Sequence, residues 1–226
     1  MRSREQTLLQ HLGELRRRVF ICVIALLVGS AISFLLFEQI IEVLVSPAKD
    51  LGLGTGGELI YTEVTELLTT AIKVSFVSGL ILASPVILFQ VVMFIAPGLT
   101  SREKRYLFGF MPAVLLAFVG GVAFAYYVLF PPAFEFLFHF GSANVNAEIR
   151  VSSYINVVIS LMFWMGVVFQ IPLTMFVLAR FGVVTAVWLG RFRRYAVVLA
   201  FVAAAIITPT FDPVNQTLVA VPILVL

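Results

Sequence analysis

The 226-residue chain reads as an all-α polytopic membrane protein with six transmembrane helices and both termini on the cytoplasmic side. Three observations carry this reading. Only 12% of the residues are charged and 61% are hydrophobic, whereas a soluble domain carries about 25% charged residues. The mean hydropathy is +1.08, so too little polar surface exists to coat a water-facing globule. Apolar runs free of Asp, Glu, Lys and Arg divide the chain, and its basic residues gather in alternate connections.

The first run, 19–37, is long enough to span, because about 20 residues cover a hydrocarbon core of ~30 Å. Runs 74–96, 106–130 and 154–179 are longer, whereas 195–208 and 214–226 are much shorter. The first run exceeds the apolar stretch of a cleaved signal peptide, and no clear small-residue cleavage site follows it. With a cytoplasmic N-terminus, the inside segments hold twelve of the fifteen Lys and Arg residues, from Arg2 to Arg194. Lys49, Lys73 and Arg150 lie on the other side, the bias that orients membrane proteins. The acids reverse it: only Glu5, Glu14 and Glu103 fall inside. Residues 1–226 form one domain that stops within an apolar run. The end of the sixth helix and a cytoplasmic tail are therefore expected to be missing.

Pro85, Pro112 and Pro172 fall inside spans. Each is expected to remove a backbone hydrogen bond and bend its helix, so that curved helices enclose a concave face. Ala117, Gly121 and Ala125, four residues apart, permit close helix packing. The first outside loop, 38–72, is expected to hold short amphipathic helices, because "VTELLTTAIK" has helical periodicity. Pro131-Pro132 is expected to stop the third helix. The fifth run would rise only about 21 Å as a helix. A thinned bilayer, covering partners and misplaced boundaries all remain open for it.

Polar groups at membrane depth are few. Gln170, in "GVVFQIP", is the clearest, and Gln90 lies nearer an end. A neutral amide between helices acts as glue worth about 0.6–2 kcal/mol. That reading is preferred for Gln90. For Gln170 a ligand role stands level with it, because Pro172 leaves nearby carbonyls open. Thr208, Asp212 and Gln216 form a second polar group at the outer end of the last hairpin, where Asp212 also fits a turn or helix cap.

Several function classes drop out. The spans carry no nucleophile elbow, no zinc-binding His pair and no carboxylates placed for acid–base work, so no enzyme and no catalytic residue is expected. Cys22 is alone, and His11 and His139 lie far apart, so no metal or other cofactor is expected. The basic balance comes from placement at the membrane and implies no nucleic acid. A small-solute secondary transporter is the rival reading, but such carriers place ionisable groups near the midplane, and these runs have none. What remains is a receptor or assembly platform that binds polypeptides.

On the basic face, Glu14 and Glu103 are the carboxylates near span ends. Glu14 fits an internal ion pair with Arg17 or Arg18 by helical spacing. It fits equally a site for a cationic ligand at the membrane surface. An exposed pair is worth only ~0.2–1 kcal/mol, so specific capture needs bidentate guanidinium contacts and an aromatic wall. Phe94 and the Pro97-Gly98 turn would supply that wall.

Five segments, "HLGELRRRVF", "SPVILFQVVMFIAPGLTSREKR", "GGVAFAYYVLFPPAFEFL", "GVVFQIP" and "ITPTFDPVNQTLVAVP", resemble the TatC family of the twin-arginine protein translocase. The resemblance runs from His11 to the end and keeps motif order and spacing. It implies a glove-like six-helix protein of the bacterial cytoplasmic (inner) membrane that binds the twin-arginine signal peptides of folded cargo. It also implies an oligomeric complex with TatA-like and TatB-like single-span proteins, contact with membrane lipid, and transport driven by the proton-motive force. By the motifs, Phe94 and Glu103 match the signal-peptide site and Glu14 extends it. Gln170 stands where many members have glutamate. "TPTFD" departs from the usual Thr-Pro-Pro-Asp, and "YTEVTELL" lacks a proline common in that loop. Gln170, Thr208, Asp212 and Gln216 are the expected partner-helix residues.

Overall fold

The computed structural model describes residues 2–50, 59–95, 105, 108–139, 149–180, 182, 184, 186–208 and 212–225. Helix α1 (Arg2–Leu35) runs to Leu36, where the chain turns into α2 (Phe37–Asp50), and α3 (Glu66–Ile95) returns antiparallel to α1. A third rod is built from α4 (Met111–Phe124), a π-helical turn over Ala125–Leu129 and α5 (Phe130–His139). A fourth consists of α6 (Val151–Val168) and α7 (Gln170–Arg180), and a last hairpin of α8 (Ala186–Ile207) and α9 (Pro213–Val225).

Four stretches are long and apolar enough to cross a membrane: Leu12–Leu35, Glu66–Phe94, Met111–Leu137 and Val151–Arg180. Arg194–Ile207 and Pro213–Val225 are shorter apolar helices at the places of the expected fifth and sixth spans. Large apolar side chains such as Phe20, Leu27, Leu116 and Ile206 point outward and are exposed, the arrangement that a lipid solvent covers.

The core surrounds α6. Its Tyr154, Ile155, Val158 and Met165 are almost fully buried. They belong to a cluster with Val74 of α3, Phe130 and Phe134 of α5, Ala204 of α8, and Val219 and Ala220 of α9. With hydrocarbon on the outside, burial gives little preference for one helix pairing over another, so close packing has to do the selecting. Glycines permit it. A Cβ on Gly29 would lie 2.6 Å from the Gly79 carbonyl oxygen, where α1 crosses α3. One on Gly121 would lie 2.5 Å from the Met165 carbonyl oxygen, where α4 crosses α6. The small-residue stripe on the third span is thus a helix-packing seam, with Ala125 fully buried along it.

Two of the three span prolines sit differently from expectation. Pro85 lies inside α3. Pro112 sits in the first turn of α4, where no intrahelical donor is needed. Pro172 falls in the first turn of α7, and the fourth rod is interrupted just before it at Phe169. Pro131-Pro132 does not end the third rod, which runs on to His139. The reason is the π-turn, which makes the Phe130 amide donate to the Ala125 carbonyl. That shift puts both prolines in the first turn of a new α-helical segment.

Two loop expectations also change. "VTELLTTAIK" is not a separate helix; from Glu66 on it is the start of α3. The separate amphipathic helix of the first loop is α2, with Pro47 inside it. Pro47 has no amide proton to give the Val43 carbonyl, and the Tyr126 hydroxyl of the π-turn donates to that oxygen instead, at 2.8 Å. Tyr154 of α6 donates to the neighbouring Leu44 carbonyl at 3.0 Å. Two tyrosines thus fasten α2 to the bundle. Helix α8 spans 22 residues, beginning well before the apolar run and rising about 33 Å, so the shortness lies in the apolar part alone.

At the end of the bundle rich in acids, Ile60 and Arg150 form a β-bridge that ties the first loop to the start of α6. Val151 donates its amide to the Ile60 carbonyl at 2.9 Å. Arg150 offers no side-chain cap to α6, and Glu66 of α3 supplies one. Its Oε1 accepts from the Ser152 amide at 3.1 Å and the Ser152 hydroxyl at 2.6 Å. Oε2 accepts from the Thr62 amide at 2.9 Å. Sequence reasoning missed this staple, whose partners lie 86 residues apart.

Candidate functional site

At the opposite end, the last turns of α3 face the first turns of the membrane-crossing part of α1. Glu14 and Arg18 are one helical turn apart, and Arg18 pairs with Glu14, the internal ion pair foreseen from spacing. Nε and Nη2 of Arg18 both donate to Glu14 Oε1, and Nη1 donates to Gln90 Oε1 on α3 at 3.2 Å. Among the described residues, no hydrogen bond reaches Glu14 Oε2. The Glu14 side chain is 33% exposed and that of Arg18 15%.

These groups line a cleft of about 270 Å³, with Ile21, Phe89 and Met93 as its apolar wall and Arg17 beside them. Phe94, next to Met93 and half-buried, stands one helical turn beyond Gln90. Val92, Met111 and Val177 pack together at this end, joining the ends of α3 and α7 to the start of α4. Glu103 and the Pro97-Gly98 turn lie outside the described residues. The structure therefore brings Glu14 and Phe94 to one end of the molecule and adds Gln90. Its signal in the sequence was the four-residue interval to Phe94, which puts both on one side of a helix.

Gln170, Thr208, Asp212 and Gln216 each make a hydrogen bond within the chain. Gln170 Nε2 donates to the Val114 carbonyl of α4 at 3.0 Å, the glue alternative. The Thr208 hydroxyl donates to the Ala204 carbonyl at 2.8 Å, and Gln216 Nε2 to the Phe201 carbonyl at 2.9 Å. Asp212 caps α9: Oδ1 accepts the Asn215 amide at 2.6 Å and Oδ2 the Asn215 side-chain amide at 3.0 Å. Each of these groups thus has a hydrogen-bond partner within the chain. A second hollow, of about 400 Å³, opens between α2, α3, α4 and α6. Its walls are apolar except for Gln39 and Ser78, and it gives the bundle a concave face.

A family model described as "Sec-independent protein translocase protein (TatC)" matches residues 10–222. The chain belongs to the TatC family. It is 33% identical over 226 residues to the TatC of Carboxydothermus hydrogenoformans, covering all of this chain and 91% of that protein. Against the TatC of Aquifex aeolicus it is 40% identical over 221 residues, covering 97% and 90%. A crystal structure described as the twin arginine translocase receptor TatC superimposes with a TM-score of 0.85 at 39% identity, covering 95% of this chain and 93% of that one. As a TatC-family membrane protein the chain is a core component of the Sec-independent translocase, and the small-solute transporter reading finds no support among these relatives.

Proposed function

We propose that the chain is the receptor for twin-arginine signal peptides in the cytoplasmic membrane of a bacterium. Six helices cross that membrane, both termini face the cytoplasm, and TatA-like and TatB-like single-span proteins assemble on it. The chain performs no catalysis; the proton-motive force drives the folded cargo. The carrying observation is the Glu14 carboxylate, set in a cleft with an apolar wall beside Phe94 at the basic end. A peptide guanidinium entering there meets Glu14 Oε2 and an aromatic neighbour. Glu103, ten residues after Met93 in the sequence, receives the second guanidinium. Cation–carboxylate hydrogen bonds at such partly shielded sites contribute about 1–3 kcal/mol.

Titration of a fluorescent twin-arginine peptide into the purified chain tests the assignment. Glu103→Ala should weaken binding by roughly 1–3 kcal/mol, and Glu103→Gln should weaken it with unfolding unchanged. Either variant binding the peptide as the unaltered chain does would remove Glu103 from the site. The α8–α9 hairpin is the proposed docking edge for the partners. Val198, Val202 and Ile206 of α8 are exposed, and the short apolar length of the hairpin leaves a mismatch that a neighbouring helix would shield.

A further inference from the structure

We propose that Arg18 is a resident competitor for Glu14, an internal guanidinium that holds Oε1 until a peptide arginine, which needs both carboxylate oxygens for a bidentate contact, displaces it; the inference rests on the signal-peptide reading above. Arg18 presents to Glu14 the group that the ligand would present. Two of its nitrogens are spent on one carboxylate oxygen, and the third is anchored on Gln90 of the facing helix. The cleft thus holds Glu14 together with two arginines, Arg17 and Arg18, so an arriving cation meets like charge until Arg18 yields its place. Because Arg18 lies on the same helix as Glu14, its local concentration is on the order of millimolar or above. Gln90 sets where the competitor rests, and that bond is given up when Arg18 is displaced.

The consequence is a threshold. Intramolecular competition subtracts the same free energy from every ligand that uses Glu14. It lowers absolute affinity and leaves the ratio between two such ligands unchanged. A peptide making a single cationic contact falls below useful occupancy, while one that also engages Phe94 is retained.

The test measures binding of a twin-arginine signal peptide and its twin-lysine counterpart to the full chain in lipid nanodiscs. Arg18→Gln should tighten both by about two- to five-fold, the scale of one partly exposed ion pair, with their ratio preserved. Gln90→Leu, which removes only the second anchor, should tighten both by less. It also serves if Arg18→Gln folds poorly. In the Glu14→Gln background, Arg18→Gln should bring no tightening. Weaker or unchanged binding in Arg18→Gln or Gln90→Leu, with Glu14→Gln itself impaired, overturns the competitor and leaves the receptor site standing. Unimpaired binding in Glu14→Gln overturns the placing of the site, and the competitor with it.

Discussion

Glu14 and Glu66 are carboxylates at opposite ends of the bundle, and their surroundings assign them opposite tasks. Glu14 has one oxygen engaged by its own helix, so it keeps acceptor capacity for a ligand. Glu66 is 4% exposed and spends both oxygens on Thr62 and Ser152, holding α3 to the start of α6. Replacing it by alanine leaves the Ser152 amide without its acceptor, whereas glutamine retains one oxygen that accepts. Glu66→Ala should therefore lower the thermal unfolding midpoint in detergent, and Glu66→Gln should lower it less. Equal midpoints for both variants and the unaltered chain would show that the staple is dispensable. The Glu14–Arg18 pair was legible because its members are four residues apart on one helix. The Glu66 staple was not, because it joins two helix starts that only the finished fold brings together.

Among the elements, the close crossing of α4 on α6 depends on two glycines, Gly121 of α4 and Gly166 of α6. A methyl at Gly121 would meet the Met165 backbone, while one at the adjacent Gly120 would meet nothing within 4 Å. Gly121→Ala should cost about 1–3 kcal/mol, the usual scale of overpacking, and Gly120→Ala should be neutral. Unfolding in mild detergent and denaturant measures both, and equal effects would refute the crossing. The stripe containing Gly121 was readable from its four-residue interval. The π-turn beside it was not, because a change in hydrogen-bond register leaves no mark on hydrophobic periodicity. That change also reversed the expectation at Pro131-Pro132. The extent of α8 was hidden for a similar reason: a helix that passes from lipid into water keeps its backbone pattern while its composition turns basic.

On the scale of the whole molecule, composition and charge placement already indicated a membrane bundle, and the family match supports the same architecture. Lipid-facing and core-facing residues were hard to separate in the sequence, because both are apolar; exposed Leu116 and buried Phe118 lie two residues apart. Partner docking is a property of this scale. Cysteines placed at Val198, Val202 and Ile206 in a Cys22→Ala background should crosslink to a series on a TatA-like or TatB-like helix. Crosslinks confined to α1 and the α4–α5 rod would move the docking edge elsewhere. Peptide recognition is the central claim, and its most direct measurement compares twin-arginine and twin-lysine signal peptides on the same reconstituted chain. A planar guanidinium makes the bidentate contact that an ammonium does not. The twin-arginine peptide should therefore bind about tenfold tighter, close to one charge-assisted hydrogen bond at ~1.4 kcal/mol. Equal affinities for the two peptides would contradict a twin-arginine receptor.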